Sequence, residues 1–245
     1  MSETAASKAD LAGQVAIVTG GSRGIGYAIA ERLLSEGMKV AICGLHQARV
    51  DNAVAWLAPC GNVMGGLCDV SNAGQVRDFV ADVYRVFGGV DVLVNNAGSG
   101  TFRPVADLTP EQWDRMISLN LSGAYYCCHE VLPIFRERGG GYIVNISSLA
   151  GKNPFAGGAG YNASKFGLNG FSEALMLDHR YDGLRVSTIM PGSVATEFGG
   201  GLAADGAEWK IAPEDIADVV ALLLKMPART TVSAVEIRPS RPLRK

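Results

Sequence analysis

Seven short runs of nearly unbroken apolar residues constrain this chain more than any other feature. They are QVAIVTG (14–20), KVAICG (39–44), NVMGGLCDV (62–70), VDVLVNNAG (90–98), GYIVNISS (141–148), RVSTIMPG (185–192) and AVEIRP (234–239). A strand with one face in water alternates apolar and polar residues. A run that does not alternate suits a strand covered on both faces, the situation of a parallel sheet. Parallel strands need crossover connections, and helical patterns at 24–36, 46–58, 71–87, 109–138, 160–182 and 213–226 supply them. The helix at 109 begins well, with Thr109 as N-cap, Pro110 at the first position and Gln112 completing a capping box. Pro213 and an acidic first turn open the last helix. The rhythm predicts an α/β fold: a doubly wound, parallel, seven-stranded sheet with helices on both faces.

No composition break or low-complexity linker divides the 245 residues. The reading is a flexible polar N-terminus over 1–12 and one domain over 13–245. A net charge of −2 gives no general attraction to nucleic acid or anionic membrane. Cys43, Cys60, Cys68, Cys127 and Cys128 are odd in number and form no Cys-x-x-Cys pair. This pattern predicts buried free thiols in a reducing compartment, with neither a disulfide framework nor a metal site. The opening segment has no apolar core for a signal peptide, and no run reaches the ~18 residues of a membrane span. The expected location is the cytoplasm.

The first run ends in TGGSRGIG (19–26) and leads into a helix. Gly20 allows the tight turn, Gly24 lets the backbone approach a pyrophosphate, and Gly26 permits close helix–strand packing. The helix N-terminus then offers N–H donors to phosphate. Further polar and glycine signals gather at the carboxyl ends of other strands: Asp69 and Val70, Asn95 to Gly98, Ser147 and Ser148, Pro191 and Gly192. Open α/β sheets bind their ligands along that edge. In YNASK, Tyr161 and Lys165 stand four positions apart, on one face of a helix.

Taken in order, TGGSRGIG, CDV, NNAG, Asn120 in ISLNLSG, Ser148 in VNISSLAG, YNASK and MPGSVAT are similar to the motifs of compact short-chain dehydrogenases/reductases. The resemblance covers about residues 13–240 and is nearest to the 3-oxoacyl-acyl-carrier-protein reductase-like members. It implies a Rossmann fold and reversible hydride transfer between a nicotinamide cofactor and a carbonyl or secondary alcohol. The implied catalytic set is Asn120, Ser148, Tyr161 and Lys165. Ser148 is selected over Ser147 by the family's spacing to the tyrosine, leaving Ser147 to support the loop. Tyr161 would be the acid or base. A free phenol has a pKa near 10, and Lys165, helped by oxidised nicotinamide, is expected to lower it. Ser148 would bond the carbonyl oxygen, and Asn120 would organise a water beside Lys165. The implied cofactor contacts are Gly20, Ser22, Arg23, Gly24, Ile25 and Gly26 in the first loop, with Tyr161 and Lys165 at the nicotinamide end. Asp69 would accept from the adenine amino group beside Val70, and Asn95, Ala97 and Gly98 would line the ribose. Pro191, Gly192 and Val194 are further implied cofactor contacts, and Thr196 would contact the carboxamide or the pyrophosphate.

For cofactor choice, the end of the second strand reads GLHQAR, with Gly44, Leu45 and His46 in place of the acidic residue that binds the 2′-hydroxyl of NAD. Arg23 can pair with a 2′-phosphate. NADP is therefore the expected cofactor, with NAD also accepted. Phe102, Phe155, Phe198, Leu202 and Trp209 form a candidate apolar substrate wall, with Lys152 and Asn153 close by. Arg138 and Arg180 are the candidate cations for an acyl-carrier partner. The ending VEIRPSRPLRK lacks the Asp-Gly-Gly of many ketoacyl reductases, which weakens that assignment. A glycine-rich segment at 192–213 reads as a lid. The resemblance further implies a homotetramer built on the helices at 109–138 and 160–182. Two other readings are a cofactor-binding regulator with little turnover and a sugar-nucleotide epimerase. All four catalytic positions are present against the first, and the short segment after Pro191 stands against the second.

Overall fold

The computed structural model describes residues 10–198 and 208–242. Seven strands form one sheet: β1 (Val15–Thr19), β2 (Lys39–Gly44), β3 (Val63–Leu67), β4 (Val92–Asn95), β5 (Gly141–Ile146), β6 (Leu184–Pro191) and β7 (Ala234–Ile237). Their order is β3-β2-β1-β4-β5-β6-β7, and every neighbouring pair is parallel. This is the doubly wound Rossmann arrangement, with the strand order reversing between β1 and β4.

The connecting helices are α1 (Gly24–Ser35), α2 (Gln47–Leu57), α3 (Ala73–Phe87), α4 (Pro110–Ile117), α5 (Gly123–Arg138), α6 (Ala159–His179) and α7 (Pro213–Leu224). The pleat divides each strand between two cores. Ala16 and Val18 pack with Leu33 and Leu34 of α1 and Val220 of α7. Val15 and Ile17 face the other side, with Val83 of α3 and Val131 and Phe135 of α5. Two apolar faces per strand explain why the strands read as continuous apolar runs. The capping box on Thr109 and Gln112 is formed as expected.

Four local expectations change. The third strand stops at Leu67, because Asp69 folds into a turn and accepts the Ser71 backbone N–H at 2.9 Å. The helix expected over 109–138 is broken by a π-helical turn, Ser118–Ser122, between α4 and α5. Its Asn120 side chain is bonded across to the loop after β4. The loose N-terminus does not extend to residue 12, since Leu11 is buried in the core; residues 1–9 lie outside the described residues. Four of the five free cysteines are buried, but Cys60 is exposed in the short turn after α2. No helix among the described residues is long and apolar enough to cross a membrane.

Candidate active site

A cleft of about 1070 Å³ opens at the carboxyl edge of the sheet. It begins at the point where the strand order reverses, because the loops after β1 and β4 run to opposite sides there. Gly20, Ser22, Arg23, Gly24 and Ile25 reach it from the loop after β1, and Ala97 and Gly98 from the loop after β4. Ser148 comes from the end of β5, and Pro191, Gly192, Val194 and Thr196 from the end of β6. Tyr161 and Lys165 of α6 complete its floor.

The glycine loop is tightly built. Gly20 and Gly24 have φ of +65° and +55°, a backbone conformation that side chains oppose. A Cβ on Gly26 would stand 2.4 Å from the Gly20 carbonyl oxygen, so its role is packing and it does not line the cleft. Arg23 at the α1 N-cap makes no side-chain cap, which leaves the first N–H groups of the helix open toward the cleft. A pyrophosphate fits such a cradle, as it supplies the missing acceptors.

At the other end, Tyr161 and Lys165 are both buried on the inner face of α6. The Lys165 ammonium donates to the Ile146 carbonyl at 2.9 Å. Burial lowers its pKa to about 8. The Ser148 hydroxyl accepts from the Ala150 N–H at 3.1 Å and acts on the Tyr161 phenol to lower its pKa. Ser147 points inward, and its hydroxyl lies 3.5 Å from the Lys165 carbonyl, a supporting position. The Tyr161 pKa is raised, because desolvation outweighs the lowering effect of Ser148. Without cofactor the phenol is held as an acid. The Asn120 side chain is fully engaged. It accepts from the Ser99 N–H at 2.9 Å, and both amide hydrogens are taken, by the Ser99 carbonyl and the Ser164 hydroxyl. It is a positioning residue that ties α6 to the loop after β4.

The adenosine end departs further from the sequence reading. Asn95 was expected at the ribose but is turned beneath the sheet, donating to Asn145 Oδ1 at 2.8 Å and to Cys128 Sγ. The pleat sends the next residue the other way. Asn96 lines the cleft and donates to the Thr19 carbonyl at 2.9 Å, joining the glycine loop to the β4 loop. Strand alternation carried that signal. Asp69 does not line the cleft, although Cys68 and Val70 beside it do; one of its carboxylate oxygens accepts from both the backbone and the hydroxyl of Ser71. Arg49, overlooked in the sequence, reaches the cleft from the first turn of α2 together with His46. Arg23 pairs with Glu197 at 2.9 Å, both side chains being exposed. Of the expected lid, residues 199–207, with Leu202, lie outside the described residues. At its base Val194 and Ile211 pair, with the Ala195 N–H on the Ile211 carbonyl at 2.9 Å. Asn153 lines the cleft, whereas Lys152 turns to Glu236.

Residues 14–206 match the family model described as short chain dehydrogenase. Dehydrogenase/reductase SDR family member 4 of Oryctolagus cuniculus is 38% identical over 200 residues, covering 81% of this chain and 77% of that protein. A metagenomic short-chain oxidoreductase solved in complex with NADP superposes with a TM-score of 0.84 at 38% identity, covering 96% of this chain and all of the other. An alcohol dehydrogenase from the archaeon Thermococcus sibiricus, complexed with 5-hydroxy-NADP, gives a TM-score of 0.88 at 31% identity, covering 94% of this chain and 99% of that one.

The buried Lys165 generates a test by linkage. Its pKa is about 8 in the fold against an ordinary 10.5. Between those values the unfolded chain binds more protons, so stability attributable to this group rises with pH. Denaturant unfolding of wild type and Lys165→Met from pH 7 to 10.5 should show the wild type gaining on the variant above pH 8. At about 1.4 kcal/mol per pH unit the gain is at most about 3 kcal/mol. A difference that stays flat or falls over that interval contradicts the assigned burial cost.

Proposed function

The chain belongs to the short-chain dehydrogenase/reductase family and is an oxidoreductase acting on CH–OH or C=O groups; from that premise we propose NADP(H)-linked carbonyl reduction at a Ser148–Tyr161–Lys165 site. The observation that carries this reading is the buried phenol of Tyr161, lining together with Ser148 and Lys165 a cleft whose far end is a glycine cradle for pyrophosphate. NADPH, when bound there, supplies the hydride.

The protein's own groups do the rest. Tyr161, kept protonated by burial, gives its proton to the carbonyl oxygen as charge develops on it. Ser148 holds that oxygen by a hydrogen bond. Lys165 keeps one ammonium hydrogen on the Ile146 carbonyl, which fixes its side chain, and its others would hold the nicotinamide ribose hydroxyls. In the reverse direction the phenol must ionise, and a charged Lys165 with oxidised nicotinamide favours this.

For the adenosine end, Arg23 and Arg49 flank the position where an acidic residue would repel a 2′-phosphate, and Gly44 and Leu45 stand there instead. The exposed Arg23–Glu197 pair is worth about 0–1 kcal/mol, so a phosphate can displace the carboxylate. The free cysteines are in keeping with a reducing cytoplasm. Exposed Tyr125 on α5, with Phe166 and Leu177 on α6, gives two neighbouring helices apolar surface that a second copy would cover. The assembly proposed is a homotetramer.

Three outcomes are expected. Tyr161→Phe should lower carbonyl-dependent NADPH oxidation at least ~100-fold with NADPH affinity little changed; near-normal turnover would refute the mechanism. The ratio of kcat/KM for NADPH over NADH should exceed one and fall about tenfold in Arg23→Ala and in Arg49→Ala, as for loss of a charge-assisted hydrogen bond. A wild-type preference for NADH, or a ratio unmoved by both changes, contradicts the cofactor reading. Sedimentation velocity at micromolar concentration should give a tetramer, and a monomer would exclude it.

A further inference from the structure

Phenylalanines from three different loops cluster at Tyr161, two against its ring and the third against one of those two. Phe102 follows β4, Phe155 follows β5 and Phe198 follows β6, and all three line the cleft. The Phe102 ring meets the Tyr161 ring edge-on at 5.5 Å between centroids and the Phe155 ring at 5.6 Å. Phe198 lies against Tyr161 at 5.7 Å. Each phenylalanine is nonetheless 44–46% exposed. A ring without a polar handle gains nothing from standing half in water. Rings that only packed their loops would be expected to turn further into the core.

The surrounding backbone makes room for these rings. A Cβ on Gly100 would stand 2.8 Å from Phe102 Cζ and 3.2 Å from Phe198 Cε1. One on Gly158 would stand 2.6 Å from Phe155 Cζ. Asn162, next to the tyrosine, donates its amide to the Phe155 carbonyl at 3.2 Å. The Thr101 N–H points at Met116 Sδ at 3.4 Å, which anchors the Phe102 loop. The rings are thus held in place with their free sides toward the cleft.

Part of the charge on this side is matched internally, since Lys152 and Arg238 share the Glu236 carboxylate. Lys210, which also lines the cleft, sits by the Trp209 ring. Arg138, a candidate for an acyl-carrier partner, pairs with Asp91 just before β4, at the opposite edge of the sheet. Beside Tyr161 the cleft offers the aromatic surface of Phe102 and Phe198.

We propose, building on the oxidoreductase reading above, that the substrate is an apolar ring-bearing ketone or its secondary alcohol, seated among Phe102, Phe155 and Phe198 with its carbonyl at Tyr161 and Ser148. Offset and edge-to-face ring contacts give such a body both orientation and affinity. The carbonyl carbon gains a hydride from the reduced nicotinamide and the oxygen gains the Tyr161 proton, giving a secondary alcohol and oxidised cofactor. A short 2-oxo acid or an acyl-carrier thioester carries no ring to meet these three side chains.

The test compares 1-tetralone, 2-butanone, pyruvate and an acetoacetyl thioester as substrates with NADPH. It uses wild type, Phe102→Leu, Phe155→Leu and Phe155→Ala, with NADPH fluorescence confirming that each variant is folded. The kcat/KM for tetralone should exceed the others at least about tenfold, and the ring-removing variants should raise its KM by several-fold to about tenfold. Preference for pyruvate or the thioester, or a tetralone KM unmoved in all three variants, overturns the inference while leaving the oxidoreductase reading intact. If NADPH binds but no carbonyl is reduced, the oxidoreductase reading fails. Calorimetric titration of tetralone into the NADP⁺ complex then decides the pocket separately, and absence of binding overturns the ring-bearing ligand.

Discussion

A sheet covered on both faces governs everything else in this molecule. Helices lie against both sides, so ligands can approach the strands only at their ends. Every strand is parallel, which brings all the carboxyl ends to one edge. At the centre of that edge the loops after β1 and β4 part company and leave a cleft. Residues as far apart in sequence as Gly20 and Thr196 come together there because the topology allows no other arrangement.

Within the cleft the governing term is desolvation. Lys165 is 4% exposed, and its ammonium is held by a main-chain carbonyl. The same burial raises the Tyr161 pKa. A lysine that gives up its proton more readily and a phenol that holds its proton form an acid-ready pair. Tyr161 therefore begins in the state that reduction requires. Asn120 contributes through the π-helical turn that carries it, bonding both to Ser99 and to Ser164 of α6. That turn replaces helical continuity with a fixed distance between α6 and the loop after β4.

Most of the architecture was legible in the sequence because burial on both faces leaves an apolar run, and capping leaves a local signature at Thr109. Motif spacing singles out Ser148, Tyr161 and Lys165, and all three line the one cleft. Failures fell where three-dimensional direction decides. Asn95 and Asn96 are adjacent and chemically identical, yet one is under the sheet and the other faces the cleft, as the pleat requires. Asp69 gives one carboxylate oxygen to its own turn, an engagement that sequence position does not reveal. Arg49 lies inside an ordinary helical pattern, and only the placement of the first turn of α2 brings it to the cleft. The raised pKa of Tyr161 without cofactor cannot be read from a Tyr–Lys spacing, since it comes from burial.

The central claim is that this cleft brings a hydride donor and a carbonyl into contact. Transfer from stereospecifically 4-deuterated NADPH tests it most directly, with the alcohol product examined by mass spectrometry and NMR. The account predicts one deuterium on the carbinol carbon, from one of the two C4 faces only, with a primary isotope effect when that face is labelled. Alcohol formed without label, or label from both faces alike, would contradict it.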